Sequence, residues 1–116
     1  MRQTERVAGY TSVGQASDFR DDIVRVFEVE GVHVAVVRHD GRYYAFEGIC
    51  PHAGYSFDWT RVRQGDTIVC SSHYSFFELE TGMVLNGPAT DDLAQYGVRL
   101  DGDDVMVSTE PPERRT

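Results

Sequence analysis

A chain of 116 residues, 41% hydrophobic and 11% aromatic, has room for one packed core, so a single domain over 1–116 is expected. Nineteen acidic side chains against eleven basic ones leave a formal charge of −8, which argues against nucleic acid or an anionic membrane as partner and suits brief docking to a basic protein surface. There is no run of 18 apolar residues and no apolar segment behind Met1–Arg6, so the expectation is no membrane span, no secretory leader and a cytoplasmic location.

In chain order, Met1–Arg6 reads as a frayed end. A short helix fits Ser17–Asp22 or Thr90–Gln95, with Ser17 and Thr90 as N-caps. Ile23–Val29 and Val32–Arg38 are Val-rich strands joined at Glu30-Gly31, and Asp40-Gly41 is a hairpin signal leading into a strand at Arg42–Ile49. Shorter strands fit Thr67–Val69, Phe76–Glu80 and Met83–Leu85, the last two joined at Thr81-Gly82. Tyr96–Leu100 and Val105–Ser108 flank the turn Asp101–Asp104, and Thr109–Thr116 is a second frayed end. Short strands punctuated this often indicate an all-β, antiparallel sandwich or barrel. Cys50–Asp66 has the least strand character, and long ordered loops on a β scaffold usually carry function.

That loop opens on Cys50-Pro51-His52, and after 17 intervening residues comes Cys70-Ser71-Ser72-His73. The chain has two Cys and four His in all, and each Cys has a His two or three residues downstream. A lone disulfide would be a weak staple here, and inert thiols beside surface histidines would not produce this pairing twice. A metal site accounts for it. Two thiolates and two imidazoles can hold one tetrahedral zinc in a binding module without redox chemistry, although zinc-finger spacing groups Cys with Cys and His with His. Two mixed loops can instead place both sulfurs on one iron and both imidazoles on another, the ligand set of a Rieske centre.

Cys50–Pro88 resembles the cluster-binding region of Rieske proteins, in particular the ferredoxins of bacterial ring-hydroxylating dioxygenases. Their CPHxG motif corresponds to Cys50-Pro51-His52-Ala53-Gly54, and their CPxHG motif to Cys70-Ser71-Ser72-His73-Tyr74. Phe77-Glu78, Thr81-Gly82 and Gly87-Pro88-Ala89 follow at family-like spacing. The resemblance implies a Rieske fold whose cluster-binding subdomain covers about 45–88 of the single domain. It further implies one [2Fe–2S] cluster, with Cys50 and Cys70 on the inner iron and His52 and His73 on the outer. The implied function is electron transfer, without catalysis, from an NAD(P)H-dependent flavin reductase to a terminal oxygenase of aromatic rings. The alternative is a Rieske-type small subunit held permanently in an NADH-dependent nitrite reductase.

Membrane-bound relatives in cytochrome bc complexes carry two further cysteines; Tyr55 and Ser72 stand at those positions. They also have a Ser and a Tyr that donate hydrogen bonds to the cluster, and here Ser75 is retained while Phe77 replaces the Tyr. Fewer donors to sulfur imply a potential toward the bottom of the Rieske range of about −150 to +300 mV. His33 and His39 read as surface or edge-strand residues, Trp59 as a packing anchor, Tyr55 and Tyr74 as rim aromatics, and Asp91-Asp92 and Asp101–Asp104 as solvated turns.

Overall fold

The computed structural model describes residues 6–7, 9–50, 54–70, 75–86 and 92–109. Ten strands follow in order: β1 Arg6–Val7, β2 Tyr10–Gln15, β3 Arg25–Val29, β4 Val32–His39, β5 Arg42–Glu47, β6 Thr67–Cys70, β7 Ser75–Glu78, β8 Val84–Asn86, β9 Gln95–Asp101 and β10 Asp104–Ser108. All strand pairings are antiparallel. A seven-stranded sheet has the order β1-β2-β10-β9-β5-β4-β3, and a separate three-stranded sheet the order β6-β7-β8. The fold is therefore all-β, as the strand spacing indicated.

β4 explains the architecture. Its run Val34-Ala35-Val36-Val37 is buried throughout because both of its faces are covered. Val34 and Val36 join Val29, Ala45, Val105 and Val107 in a basal core, which requires the seven-stranded sheet to fold over so that β3–β5 face β10. Ala35 and Val37 point the opposite way, into a second core with Phe46, Phe57, Ile68, Phe77 and both cysteines. The wall formed by β4 and β5 thus separates a basal interior of aliphatic side chains and Phe19 from the one that contains the thiols.

Neither expected helix forms among the described residues. Only Ala16–Asp18 makes a single 3-10 turn, closed by a hydrogen bond from the Gln15 N–H to the Asp18 carboxylate at 2.9 Å. Asp22, with φ of +69°, cannot continue a right-handed helix. Thr90 and Asp91 lie outside the described residues, while 92–94 are irregular and Gln95 already belongs to β9. Asp92 accepts the Val84 N–H at 2.8 Å and Leu93 donates to the Gly82 carbonyl at 2.7 Å, so that segment is stitched across the small sheet. Of the end expected to fray, Met1–Glu5 lies outside the described residues and Arg6 pairs with β2.

Candidate metal centre

Cys50 and Cys70 occupy equivalent places in two hairpins. Beyond β5 the chain turns at Gly48, whose N–H bonds to the His33 carbonyl at 2.9 Å. A Cβ at Gly48 would come within 2.9 Å of the His33 carbonyl carbon and of Val26 Cγ1, so only glycine lets the chain lie this close to β4. Phe57 then donates to the Gly48 carbonyl, Ile49 bridges Ser56, and Cys50 donates to the Tyr55 carbonyl at 2.8 Å. The Gly54 N–H returns to the Cys50 carbonyl at 2.8 Å, with Gly54 at φ +73°, a conformation costly for any side-chain-bearing residue.

The second hairpin repeats the plan with regular strands. Val69 pairs with Phe76, and Cys70, the last residue of β6, pairs with Ser75, the first of β7. In both hairpins, then, the cysteine stands at the mouth and its partner follows five residues later. Both cysteines are thiols buried to 2% exposure or less, within one core, so they converge without a disulfide. Pro51, His52, Ala53, Ser71, Ser72, His73 and Tyr74 lie outside the described residues, as do Gly87–Ala89.

Three phenyl rings share the core with the thiols. Phe57 packs edge-on to Phe46, with centroids 5.8 Å apart, and to Phe77 at 6.2 Å. Phe77 is fully buried and offers no O–H, whereas Ser75, equally buried, places a hydroxyl beside Cys70. Such surroundings disfavour added negative charge except where a donor can meet it.

Three sequence readings change here. Trp59 is not a packing anchor: its ring is exposed, and the Arg25 guanidinium stacks on it at 3.9 Å from the centroid. Phe57, two residues earlier, provides the anchor. β4 is interior rather than an edge, lying between β3 and β5. His33 is exposed on it, but His39 is held between two carboxylates, Asp22 at 2.7 Å on Nδ1 and Asp66 at 2.6 Å on Nε2. The hydrogen bond to Asp22 is the main reason that its pKa is raised above the ordinary 6.5, with Asp66 adding to it against a smaller burial effect. Sequence reasoning missed this clamp because its members are 17 and 27 residues apart and no local pattern joins them. It ties β4 to the turn immediately before β6, and so steadies the second cysteine hairpin.

The architecture is that of a small β protein built to bring two cysteine-bearing hairpins onto one core. This chain belongs to the Rieske [2Fe–2S] domain family, whose profile matches residues 9–97. The ferredoxin component of the alkene monooxygenase system of Xanthobacter autotrophicus (strain ATCC BAA-1158 / Py2) is 32% identical over 102 residues, covering 88% of this chain and 83% of that protein. Among solved structures, the ferredoxin of carbazole 1,9a-dioxygenase from Nocardioides aromaticivorans IC177 superposes with a TM-score of 0.82 at 25% identity, covering 89% of this chain and 100% of that one. A chain in the complex of reduced oxygenase and oxidized ferredoxin in carbazole 1,9a-dioxygenase gives the same TM-score at 28% identity, over 93% of this chain and 100% of that chain. The cofactor of the family is one Rieske-type [2Fe–2S] cluster, and two convergent buried thiols fit its sulfur-ligated iron.

Proposed function

We propose that this chain is a Rieske ferredoxin, a one-electron carrier that takes electrons from an NAD(P)H-dependent flavin reductase and hands them to a terminal oxygenase acting on aromatic rings, in the cytoplasm. Cys50 and Cys70 hold the inner iron and His52 and His73 the outer, within a cluster-binding unit of about 45–88 inside one domain. The observation that carries this reading is the matched placement of the two buried thiols, each at a hairpin mouth, with a histidine two or three residues further along the sequence. When bound, the cluster supplies a reversible one-electron couple. Two neutral imidazoles in place of thiolates make it easier to reduce than the roughly −400 mV of plant-type clusters. The phenyl rings and the missing O–H at Phe77 push the other way, which supports a potential low in the Rieske range.

The described residues assemble no catalytic iron site of an oxygenase. A mononuclear oxygenase iron needs two histidines and a carboxylate. His33 and His39 are six positions apart on β4, roughly 20 Å, and His39 is engaged by Asp22 and Asp66. No helix among the described residues is long and apolar enough to cross a membrane.

The test is reconstitution with a flavin-dependent ferredoxin reductase and a terminal oxygenase from the same source. Reduction of the oxygenase by NAD(P)H should require the cluster-loaded chain and stop when Cys70→Ser replaces it. Equal turnover without the chain would contradict the carrier role.

A further inference from the structure

The groove between the two cysteine hairpins carries a charge opposite to that of the whole chain. It is an open cleft of about 580 Å³, lined by Ser56, Trp59, Arg61, Arg63 and Val69 among others. Its ends lie one residue from each thiol: Ser56 bridges Ile49, which precedes Cys50, and Val69 precedes Cys70. Asp58, the carboxylate on its wall, is consumed by Arg25 Nε at 2.9 Å and by the Val26 N–H at 3.0 Å. Arg61 and Arg63 are exposed, and among the described residues neither pairs with a carboxylate. A local excess of arginine therefore sits between the two cysteine-bearing hairpins of a chain whose net charge is −8.

The apolar part of the groove is held ready for contact. Trp59, at 64%, is the most exposed large apolar side chain described. Its backbone has φ of +72°, its N–H is bonded to the Val24 carbonyl at 2.7 Å, and Arg25 stacks on its ring. Fixing a bare indole in this way contributes nothing to the interior, while tryptophan and arginine are the side chains that most often dominate protein interfaces. Val69 is buried at the floor of the groove, and its cross-strand neighbour Phe76 shares that face of the small sheet with 36% of its surface exposed.

We propose that this Trp59–Arg61–Arg63 groove is the docking surface for an acidic face of a redox partner protein, with partner carboxylates on the two arginines and an apolar contact on Trp59. This rests on the carrier reading above and names the surface the carrier uses. The choice of a protein with an acidic face follows from charge complementarity at the groove, against the basic partner that net charge alone suggests.

The test uses the cluster-loaded full chain, with R61E/R63E and W59A as surface variants. Reduced protein is re-oxidised by ferricyanide, by hexaamminecobalt(III) and by the partner oxygenase, and reduced by the partner reductase. At low salt R61E/R63E should react more slowly with the anion and faster with the cation, and lose about tenfold in rate with at least one protein partner. These differences should fade near 0.5 M salt, beyond the reach of screened charges. W59A should lower that same partner rate at every salt concentration while both small oxidants react as before. Unchanged partner rates in both variants, against a working wild type, would overturn the groove alone. A wild type that exchanges electrons with neither partner would overturn the carrier reading and the groove with it. Self-association that R61E/R63E abolishes would assign the face to a second copy of the chain and contradict the proposal.

Discussion

The two faces of β4 are packed by different means. On the basal face, strands from both halves of the folded-over sheet bury Val29, Val34, Val36, Val105 and Val107, and every strand there has a hydrogen-bonded neighbour in the same sheet. On the opposite face, the three-stranded sheet has no strand pairing with the larger one. It is attached by Phe57, Phe77, Leu79 and Leu93, by single hydrogen bonds from irregular segments, and by the His39 clamp. A three-stranded sheet covering only 67–86 has the minimum number of strands for independent stability. The comparison teaches that the basal core closes by apolar burial within one continuous sheet, whereas the cysteine face, joined to it without strand pairing, should depend on what its thiols hold.

The largest effect should come from removing that dependence. Cys50→Ser or Cys70→Ser should abolish cluster binding and strip hydrogen-exchange protection from β6–β8 by at least about a hundredfold, while β4, β9 and β10 keep theirs. Equal protection in both regions would erase the distinction. Next is Phe57→Ala, expected to cost about 3–5 kcal/mol and to weaken cluster retention, against about 2 kcal/mol for Val107→Ala with the cluster absorption intact. Denaturant midpoints, followed by visible absorption and by far-ultraviolet dichroism, separate the two.

The His39 clamp gives a smaller, pH-dependent effect. With a carboxylate on each ring nitrogen, the imidazole is favoured in its protonated form, and its folded pKa lies above the unfolded value. Its contribution is therefore complete below about pH 6.5 and is lost as pH rises through the raised folded value. His39→Gln should cost about 1 kcal/mol at pH 6, discounted for the exposure of Asp66, and less at pH 9. A cost that grows with pH would have the wrong sign. Smallest is Ser75→Ala. A hydroxyl whose bond strengthens by about 1 kcal/mol on reduction is worth about 40 mV in a one-electron couple, so the midpoint should fall by that order in a redox titration. An unchanged midpoint would mean that Ser75 does not address the cluster.

The strands β3, β4, β5, β9 and β10 were legible because Val, Tyr and Phe alternate there between clear turn signals, and the turn at Asp101–Asp104 closes as its Gly102 suggests. β2 was not: Tyr10–Gln15 is polar and half-buried, and becomes a strand only because β10 lies alongside. The helix expected from Ser17 failed because local capping chemistry was outweighed by the chain's need to return into β3. At the site, the cysteine pairing was legible from spacing alone. The convergence of the thiols on one core, the Phe46–Phe57–Phe77 packing and the exposed setting of Trp59 depend on contacts between distant segments, which spacing does not encode.

The account stands on two sulfur and two imidazole ligands holding a diiron core. Its most direct test is low-temperature electron paramagnetic resonance of the dithionite-reduced protein, with nitrogen couplings resolved by electron-nuclear double resonance. The account predicts one reduced [2Fe–2S] centre coupled to two imidazole nitrogens, both couplings disappearing in the His52→Ala/His73→Ala double variant. A protein lacking iron and acid-labile sulfide, or an unaltered signal in that variant, would contradict it.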